Sequence, residues 1–402
     1  MGMKILVINA GSSSMKYQLF DMDGEVAIAK GLCERIGIDG RFRHYTHDGR
    51  EINRDVEMKD HAAAFAMLRD ALVSGEGKVI DSLSEVAAIG HRVVQGASKY
   101  DKSVLVTDEL IHDIEDFSSL APLHNPANLV GIHAATEAFG ADVPQAATFD
   151  TAFHQTIPPM AFMFGMPYEY YEKYGVRKYG FHGTSHRFVS DRCCELLGKP
   201  DKTGTRIITC HLGNGSSISA IKDGRVLDTT MGLTPLDGFM MGTRSGAVDP
   251  SAVTFIMEKE GFSPIEMDNI LNKKSGMLGI SGVSSDDRDI VNAMDEGNER
   301  AKLAWDMRIY EINRYIGGYI TTLGGLDAIV FTAGIGENQI RLRQEVVESL
   351  AYRGIKLDCD KNNVRGVETE ISTPDSTSRV FIIPTNEELV IARDTLALVE
   401  GE

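Results

Sequence analysis

Two cations in this chain stand at or within runs of small residues. Lys16 follows Asn9-Ala10-Gly11-Ser12-Ser13-Ser14, and Arg244 sits between Thr243 and Ser245-Gly246 in a glycine-dense stretch, residues 230–250. Glycine and serine add little bulk, so backbone N–H groups and hydroxyls can gather round an anion. An arginine held by such neighbours offers a planar fork of donors to phosphate oxygens. The chemistry that suits both settings is phosphate binding and phosphoryl transfer. The common phosphate loop, G-x-x-x-x-G-K-[ST], is absent from the chain. A Gly/Ser hairpin with no ligand is the plainer reading of the Lys16 segment taken alone.

Five further residues have placements that invite chemistry. Arg92 lies near the C-terminal end of the apolar run 86–94, the edge where α/β proteins bind ligands. A surface ion pair is its alternative role. Asp150 ends the short run 146–150 and is followed by Thr151, a setting suited to organising metal or water. Its alternative is to cap the next segment. His182 and His186 are four apart, the spacing of a metal pair. With Ser185 as N-cap of a helix through Leu197, however, His182 precedes the helix and the two need not share a face. His182 then reads as a hydrogen-bond donor in a ligand cleft. Glu387 opens the last helix behind Thr385-Asn386, and either serves that helix N-terminus or faces a metal.

The elements that must position these residues repeat. Residues 4–21 read as strand, Gly/Ser turn, strand, and so do residues 206–228, where an apolar run meets Gly213-Asn214-Gly215-Ser216-Ser217. Asp23-Gly24 and Asp223-Gly224 supply the next turn in each copy. Two equivalent hairpins half a chain apart predict two related domains, one on each side of a nucleotide. Helices are predicted over 60–73, 107–120, 126–139, 251–260, 263–272 and 298–323. The last carries an apolar stripe of Trp305, Ile309, Ile312, Ile316, Ile320 and Leu323. A Gly/Ser loop is expected over 275–285, with Asp286–Arg288 opening a helix behind it. The strand 326–332 runs into Gly334-Ile335-Gly336-Glu337-Asn338 and a helix over 339–351, which puts backbone N–H groups at a ligand. The domain boundary falls near residues 150–165.

A net charge of −17 argues against a nucleic-acid binder, while local cations can still dominate an anion site. No apolar stretch is long enough to span a membrane, and the N-terminus shows no signal-peptide pattern. The five cysteines are odd in number and lack metal spacing, which fits reduced thiols in the cytoplasm.

Taken together, Asn9–Ser14 with Lys16, Phe181-His182-Gly183-Thr184-Ser185-His186, His211-Leu212-Gly213-Asn214-Gly215, Met241-Gly242-Thr243-Arg244-Ser245-Gly246 and Thr332–Asn338 resemble the acetate kinase family, in its order and over nearly the whole chain. The resemblance implies an α/β fold of two duplicated ribonuclease H-like, or actin-like, domains with a nucleotide cleft between them. These would be residues 1–150, completed by a returning helix 386–402, and residues 151–385. It implies a cytoplasmic homodimer that binds neither nucleic acid nor membrane, with ATP and acetate as its small-molecule substrates. Mg²⁺, with Mn²⁺ as a substitute, would be held by Asn9 and Glu387. Lys16 and His211, Leu212, Gly213, Asn214 and Gly215 would contact the ATP phosphates. Asp286, Asp287, Arg288, Gly334, Ile335, Gly336, Glu337 and Asn338 would contact adenosine. Arg92 would bind the carboxylate, and Val94, Leu123, Phe181 and Pro235 the acyl methyl. Asp150 takes the position of the catalytic acid/base, and His182 and Arg244 those of transition-state stabilisers.

A carboxylate is already a nucleophile at pH 7, so Asp150 reads as an organiser rather than a true base. The chain departs from the family at Ala247, where an acidic residue is expected. Relatives acting on propionate or butyrate share most of these motifs, and one methylene changes preference by only about 1–3 kcal/mol. A sugar kinase of the same fold would need a polar pocket, which Val94, Leu123 and Phe181 argue against. An actin- or chaperone-like ATPase would hydrolyse ATP slowly without an acyl acceptor.

Overall fold

The computed structural model describes residues 2–401. The chain divides into two compact units, Met1–Ala152 with Asn386–Glu402, and Phe153–Thr385. The first is built on β1 (Lys4–Ala10), β2 (Ser14–Asp21), β3 (Val26–Glu34), β4 (Arg41–Thr46), β5 (Glu51–Asp55), β6 (Val86–Val93), β7 (Val104–Leu105) and β8 (Gln145–Phe149). Their order across the sheet is β5-β4-β3-β2-β1-β6-β8-β7. The second is built on β9 (Arg206–Leu212), β10 (Ser216–Lys222), β11 (Arg225–Thr229), β12 (Ala328–Thr332), β13 (Thr369–Glu370) and β14 (Arg379–Ile382). Their order is β11-β10-β9-β12-β14-β13.

The duplicated hairpins belong to a duplicated sheet. In the first unit β1 is antiparallel to β2 and parallel to β6, which is parallel to β8. In the second, β9 is antiparallel to β10 and parallel to β12, which is parallel to β14. The series β3-β2-β1-β6-β8 and β11-β10-β9-β12-β14 thus repeat one order with one set of directions. The central strands are buried on both faces, which is why Ile5–Ile8 and Ile329–Phe331 read as continuous apolar runs rather than alternating ones.

Helices cover these sheets where the apolar periodicity places them. Asp60 caps His61–Val73, its Oδ1 accepting from Ala63 N at 2.8 Å. Asn298 caps Glu299–Leu323, whose predicted stripe is buried and packs on β10. Trp305 is fully buried there and donates Nε1–H to Glu345 at 2.6 Å. The last helix, Glu387–Glu400, belongs to the first unit and packs on β1, β6 and β8. Gly90 allows that contact, since a Cβ there would stand 2.5 Å from Thr395 Oγ1 and 2.6 Å from Ile391 Cγ2. No helix among the described residues is long and apolar enough to cross a membrane. Cys193 and Cys194 are buried in the apolar core.

Three local expectations are corrected. Ser185 is not the N-cap of its helix, which spans Gly183–Leu196 with His182 in the cap position. Ser185 faces inward, and its hydroxyl meets His211 Nδ1 at 2.8 Å, a tertiary contact invisible to a capping pattern. The expected loop 275–285 contains the helix Gly276–Ser281. The Gly334–Asn338 segment is itself helical, as Ala333–Asn338, and a second helix, Ile340–Glu348, follows at once.

Candidate active site

In the first unit the site residues gather at the β1–β2 turn and the neighbouring strand ends. Asn9 and Lys16 stand opposite each other in the β1–β2 register, and Gly11 N–H donates to Ser14 O at 2.7 Å to close the turn. Arg92 lies on β6 in register with Thr148 on β8, and Asp150 follows β8. Their side chains meet as a bidentate pair: Arg92 Nε donates to Asp150 Oδ1 at 2.8 Å and Nη2 to Oδ2 at 2.6 Å. Asp150 is 1% exposed, so this is no loose surface bridge. Burial works against the Arg92 charge, but Asp150 outweighs it, with Glu387 and Glu388 adding, and the guanidinium holds its proton firmly. The fork expected to meet a substrate carboxylate is already engaged by a protein carboxylate.

Glu387, the first residue of the last helix, is half-buried. Burial pushes its carboxyl up to about 7 against the pull of Arg92, with Asp150 and Glu388 raising it further and Lys16 lowering it. Asn9 and Glu387 offer the oxygen donors that Mg²⁺ accepts. Among the described residues no group of three or more His, Cys, Asp and Glu could hold an ion. The raised Glu387 carboxyl is the feature that fits a cation, whose charge would favour the ionised form. Metal binding must then displace a proton below pH 7. Affinity for Mn²⁺ in the presence of ADP, read by electron paramagnetic resonance, is expected to fall roughly fivefold from pH 7 to pH 6. Glu387→Gln should flatten that dependence. Equal affinity at pH 6 and pH 8 in the wild type would remove Glu387 from the metal site.

In the second unit the pieces converge on the β9–β10 turn. His182 adopts a left-handed backbone, φ 58°, where the chain enters its helix. Its Nδ1 lies 2.9 Å from Ser217 Oγ, and its ring stacks on His211 with centroids 4.0 Å apart. A Cβ built on Gly215 would lie 3.1 Å from Arg244 Nη1 and 3.6 Å from His182 Nε2. Guanidinium, imidazole and the backbone of the Gly213–Gly215 turn therefore face one small volume. Arg244 Nη1 donates to Pro235 O at 3.1 Å and approaches Met241 Sδ at 3.9 Å, and no carboxylate pairs with it among the described residues. Burial lowers its pKa from the ordinary value, the sign of a cation lacking a counter-ion.

The loop that carries Arg244 is held by backbone. Met241 N–H donates to Arg244 O at 3.0 Å, Ser245 N–H to Leu271 O at 2.9 Å and Ser275 N–H to Thr243 O at 3.0 Å. Gly276, at φ +62°, lets the next helix start against this loop, since its Cβ would stand 2.2 Å from Met241 O. Ala247 is exposed and secured through its own N–H to Gly238 O at 2.8 Å, so no acidic side chain is needed to hold it.

Beside the turn lies a cavity of about 550 Å³ lined by Asn214, residues 285–288, Gly334, Ile335, Asn338, Gln339 and Arg365. Four parts of the chain line it, and three of them hold expected nucleotide contacts. Not every expected residue faces outward. The Asp287 carboxylate pairs with buried Arg308 and accepts from Gln339 Nε2 at 2.8 Å, so it fixes the cavity wall. Glu337 accepts from Thr385 N–H at 3.2 Å. Exposed Arg288 pairs with Asp286 at 2.6 Å. Gln339 and Arg365 had no local signal, because only the tertiary fold brings them to this wall.

The expected acyl pocket is divided. Val94 and Leu123 belong to the first unit, Phe181 and Pro235 to the second. Val94 and Phe181 are buried, Pro235 is half-buried, and Leu123 is 60% exposed.

Comparisons with known proteins agree over the full length. The model of the acetokinase family matches residues 4–393. The chain is 55% identical over 399 residues to the acetate kinase of Desulfitobacterium hafniense (strain DSM 10664 / DCB-2), covering 99% of this chain and 100% of that protein. The crystal structure of Porphyromonas gingivalis acetate kinase superposes with a TM-score of 0.93 at 45% identity, covering 98% of this chain and 99% of that one. A propionate kinase from Francisella tularensis subsp. tularensis SCHU S4 superposes with a TM-score of 0.92 at 40% identity, covering 99% of this chain and 100% of that one.

Proposed function

The chain belongs to the acetokinase family and is an enzyme with acetate kinase activity, and from that premise we propose how its residues divide the work. Its fold is the two-domain actin-like α/β architecture of acetate kinases. A carboxylate oxygen of acetate attacks the γ-phosphorus of ATP in line. The bond from that phosphorus to the β–γ bridging oxygen breaks, leaving acetyl phosphate and ADP, and the reverse step regenerates ATP.

Acetate is ionised at pH 7, so no proton need be removed from it. The difficulty is electrostatic: an anion must approach a polyanion, and charge must be held on the equatorial phosphoryl oxygens. Arg244 and His182 take those oxygens, and the Gly213–Gly215 turn offers backbone N–H to the phosphates. Arg92, fixed by Asp150, presents positive charge to the acetate carboxylate, and Asp150 organises rather than deprotonates. Asn9 and Glu387 would hold Mg²⁺, or Mn²⁺ in its place, which would neutralise phosphate charge when bound. Lys16 attends the phosphates, and the cavity at Asp286–Arg288 and Gly334–Asn338 takes adenosine. The domain limits 1–150 with 386–402 and 151–385, a homodimer and a cytoplasmic location complete the reading.

The observation that carries it is the unpaired, part-buried Arg244 converging with His182 on Gly215. The test is hydroxylamine trapping of acyl phosphate with ATP, Mg²⁺ and single carboxylates from formate to butyrate. The strongest product is expected with acetate. The structural likeness to a propionate kinase makes propionate the second reading, and a stronger product there would keep the mechanism and change the acceptor. ATP hydrolysis without acyl phosphate from any acid would overturn the assignments of Arg92 and the apolar residues.

A further inference from the structure

Behind His182 runs a line of polar side chains that phosphoryl transfer leaves without a task. Thr209 on β9, His186 on the helix Gly183–Leu196 and Ser217 on β10 are fully buried. His186 Nδ1 lies 2.7 Å from Thr209 Oγ1, and its Nε2 lies 2.8 Å from Ser217 Oγ. The same Ser217 Oγ lies 2.9 Å from His182 Nδ1. The spacing follows from the fold. His182 and His186 are one helical turn apart, and Ser217 and Thr209 project from the adjacent antiparallel strands β10 and β9.

The direction of this line follows from its protons. Burial pushes His186 well below its ordinary value, with His154 and His211 adding, so the ring is neutral and has one N–H. The Thr209 hydroxyl has His186 Nδ1 as its one side-chain partner. If Nδ1 carried the proton, Thr209 would accept and its own O–H would be buried without an acceptor, at the full cost of desolvating it. Thr209 therefore donates to His186 Nδ1, and His186 donates from Nε2 to Ser217 Oγ. Ser217 then has its own O–H to give, and His182 Nδ1 receives it. The remaining proton of His182 belongs on Nε2, the atom that faces Gly215 together with Arg244 Nη1.

We propose that Thr209, His186 and Ser217 are positioning residues that hold His182 as its neutral Nε2–H tautomer, so that it meets the phosphoryl group as an uncharged donor. The groups facing the ring favour the same state. Arg244 converges with it on Gly215, so an imidazolium would stand beside a like charge. Ser185 Oγ, 2.8 Å from His211 Nδ1, sets the same tautomer in His211 by the same reasoning. An N–H at His182 Nε2 would persist above the ordinary titration range of histidine, which an imidazolium donor would not.

The purpose of this arrangement rests on the kinase reading, but its test does not. Long-range ¹H–¹⁵N correlation spectra of the full chain with labelled histidine report each ring's tautomer. His182 is assigned as the resonance lost in His182→Gln. The wild type is expected to show His182 with Nε2–H and an accepting Nδ1, unchanged from pH 6 to pH 9. Thr209→Val and Ser217→Ala should mix or invert that tautomer. They should lower kcat by roughly ten- to a hundredfold, as removing the partner that orients a working imidazole does, with KM for ATP and acetate unchanged. Thr209→Ser should restore both. An imidazolium or an Nδ1–H tautomer for wild-type His182 at pH 7.5 overturns the proposal, even if both variants fail to fold. So does a Thr209→Val enzyme with wild-type spectrum and turnover. A wild type that makes no acyl phosphate would sink the kinase reading while the spectrum still decides the tautomer.

Discussion

Replacing Arg244 by alanine is expected to lower turnover by roughly a thousandfold, the scale of removing a guanidinium from a phosphoryl-transfer transition state. KM for acetate should change little. The reason lies in what the guanidinium touches. A carbonyl and a thioether sulfur are its protein partners, so its charge is unpaired and available to the phosphoryl oxygens. A donor that strengthens its hold only as charge develops raises kcat rather than tightening substrate. Lysine should not rescue the site, because an ammonium cannot reproduce the planar fork. Steady-state kinetics of Arg244→Ala and Arg244→Lys decide the matter. A raised acetate KM with unchanged kcat would mean that Arg244 binds acetate and that the assignment to the transition state is wrong.

Asp150→Asn should reduce turnover by roughly a hundredfold or more, yet keep an acidic limb in the pH–rate profile. Both carboxylate oxygens of Asp150 already accept from Arg92, so the residue fixes a cation rather than waiting for a proton. The group poised near neutrality is Glu387, at about 7. Below that pH it takes up a proton, which in the proposed metal role would weaken ligation, so activity should fall as pH falls. Asp150 is one of the charges that raise Glu387. Its removal should therefore move the limb to lower pH without abolishing it, and Glu387→Gln should abolish it. If Asp150→Asn erases the limb instead, Asp150 is a base. Arg92→Ala and Asp150→Asn act on one ion pair, so the double variant should fall short of the product of the two losses. Multiplicative losses would mean that the two residues work separately.

Much of this protein was legible in its sequence because the signals are local. The Gly/Ser turns after Ile5–Ile8 and Ile207–Leu212 marked both hairpins, since small residues are needed wherever backbone N–H groups must stay accessible. The stripe from Trp305 to Leu323 marked the long core helix, because a helix packed on a sheet must repeat its apolar face every three or four residues. The motifs around Asn9, His182, His211, Arg244 and Gly334 pointed to the family that the full-length matches show.

What the tertiary structure decided concerns partners distant in the chain. Arg92 and Asp150 each suggested a role, but that they form one bidentate pair depends on the parallel register of β6 and β8. Ser185 looked like a cap until β9 brought His211 to its hydroxyl. That Asp287 in the cavity wall is paired with buried Arg308 follows from where the long helix lies. The elevated Glu387 carboxyl and the line from Thr209 to His182 left no trace in any local pattern. Composition and periodicity report how a segment meets solvent and core, whereas charge pairing and proton direction depend on which buried groups the folded sheets bring within hydrogen-bond reach.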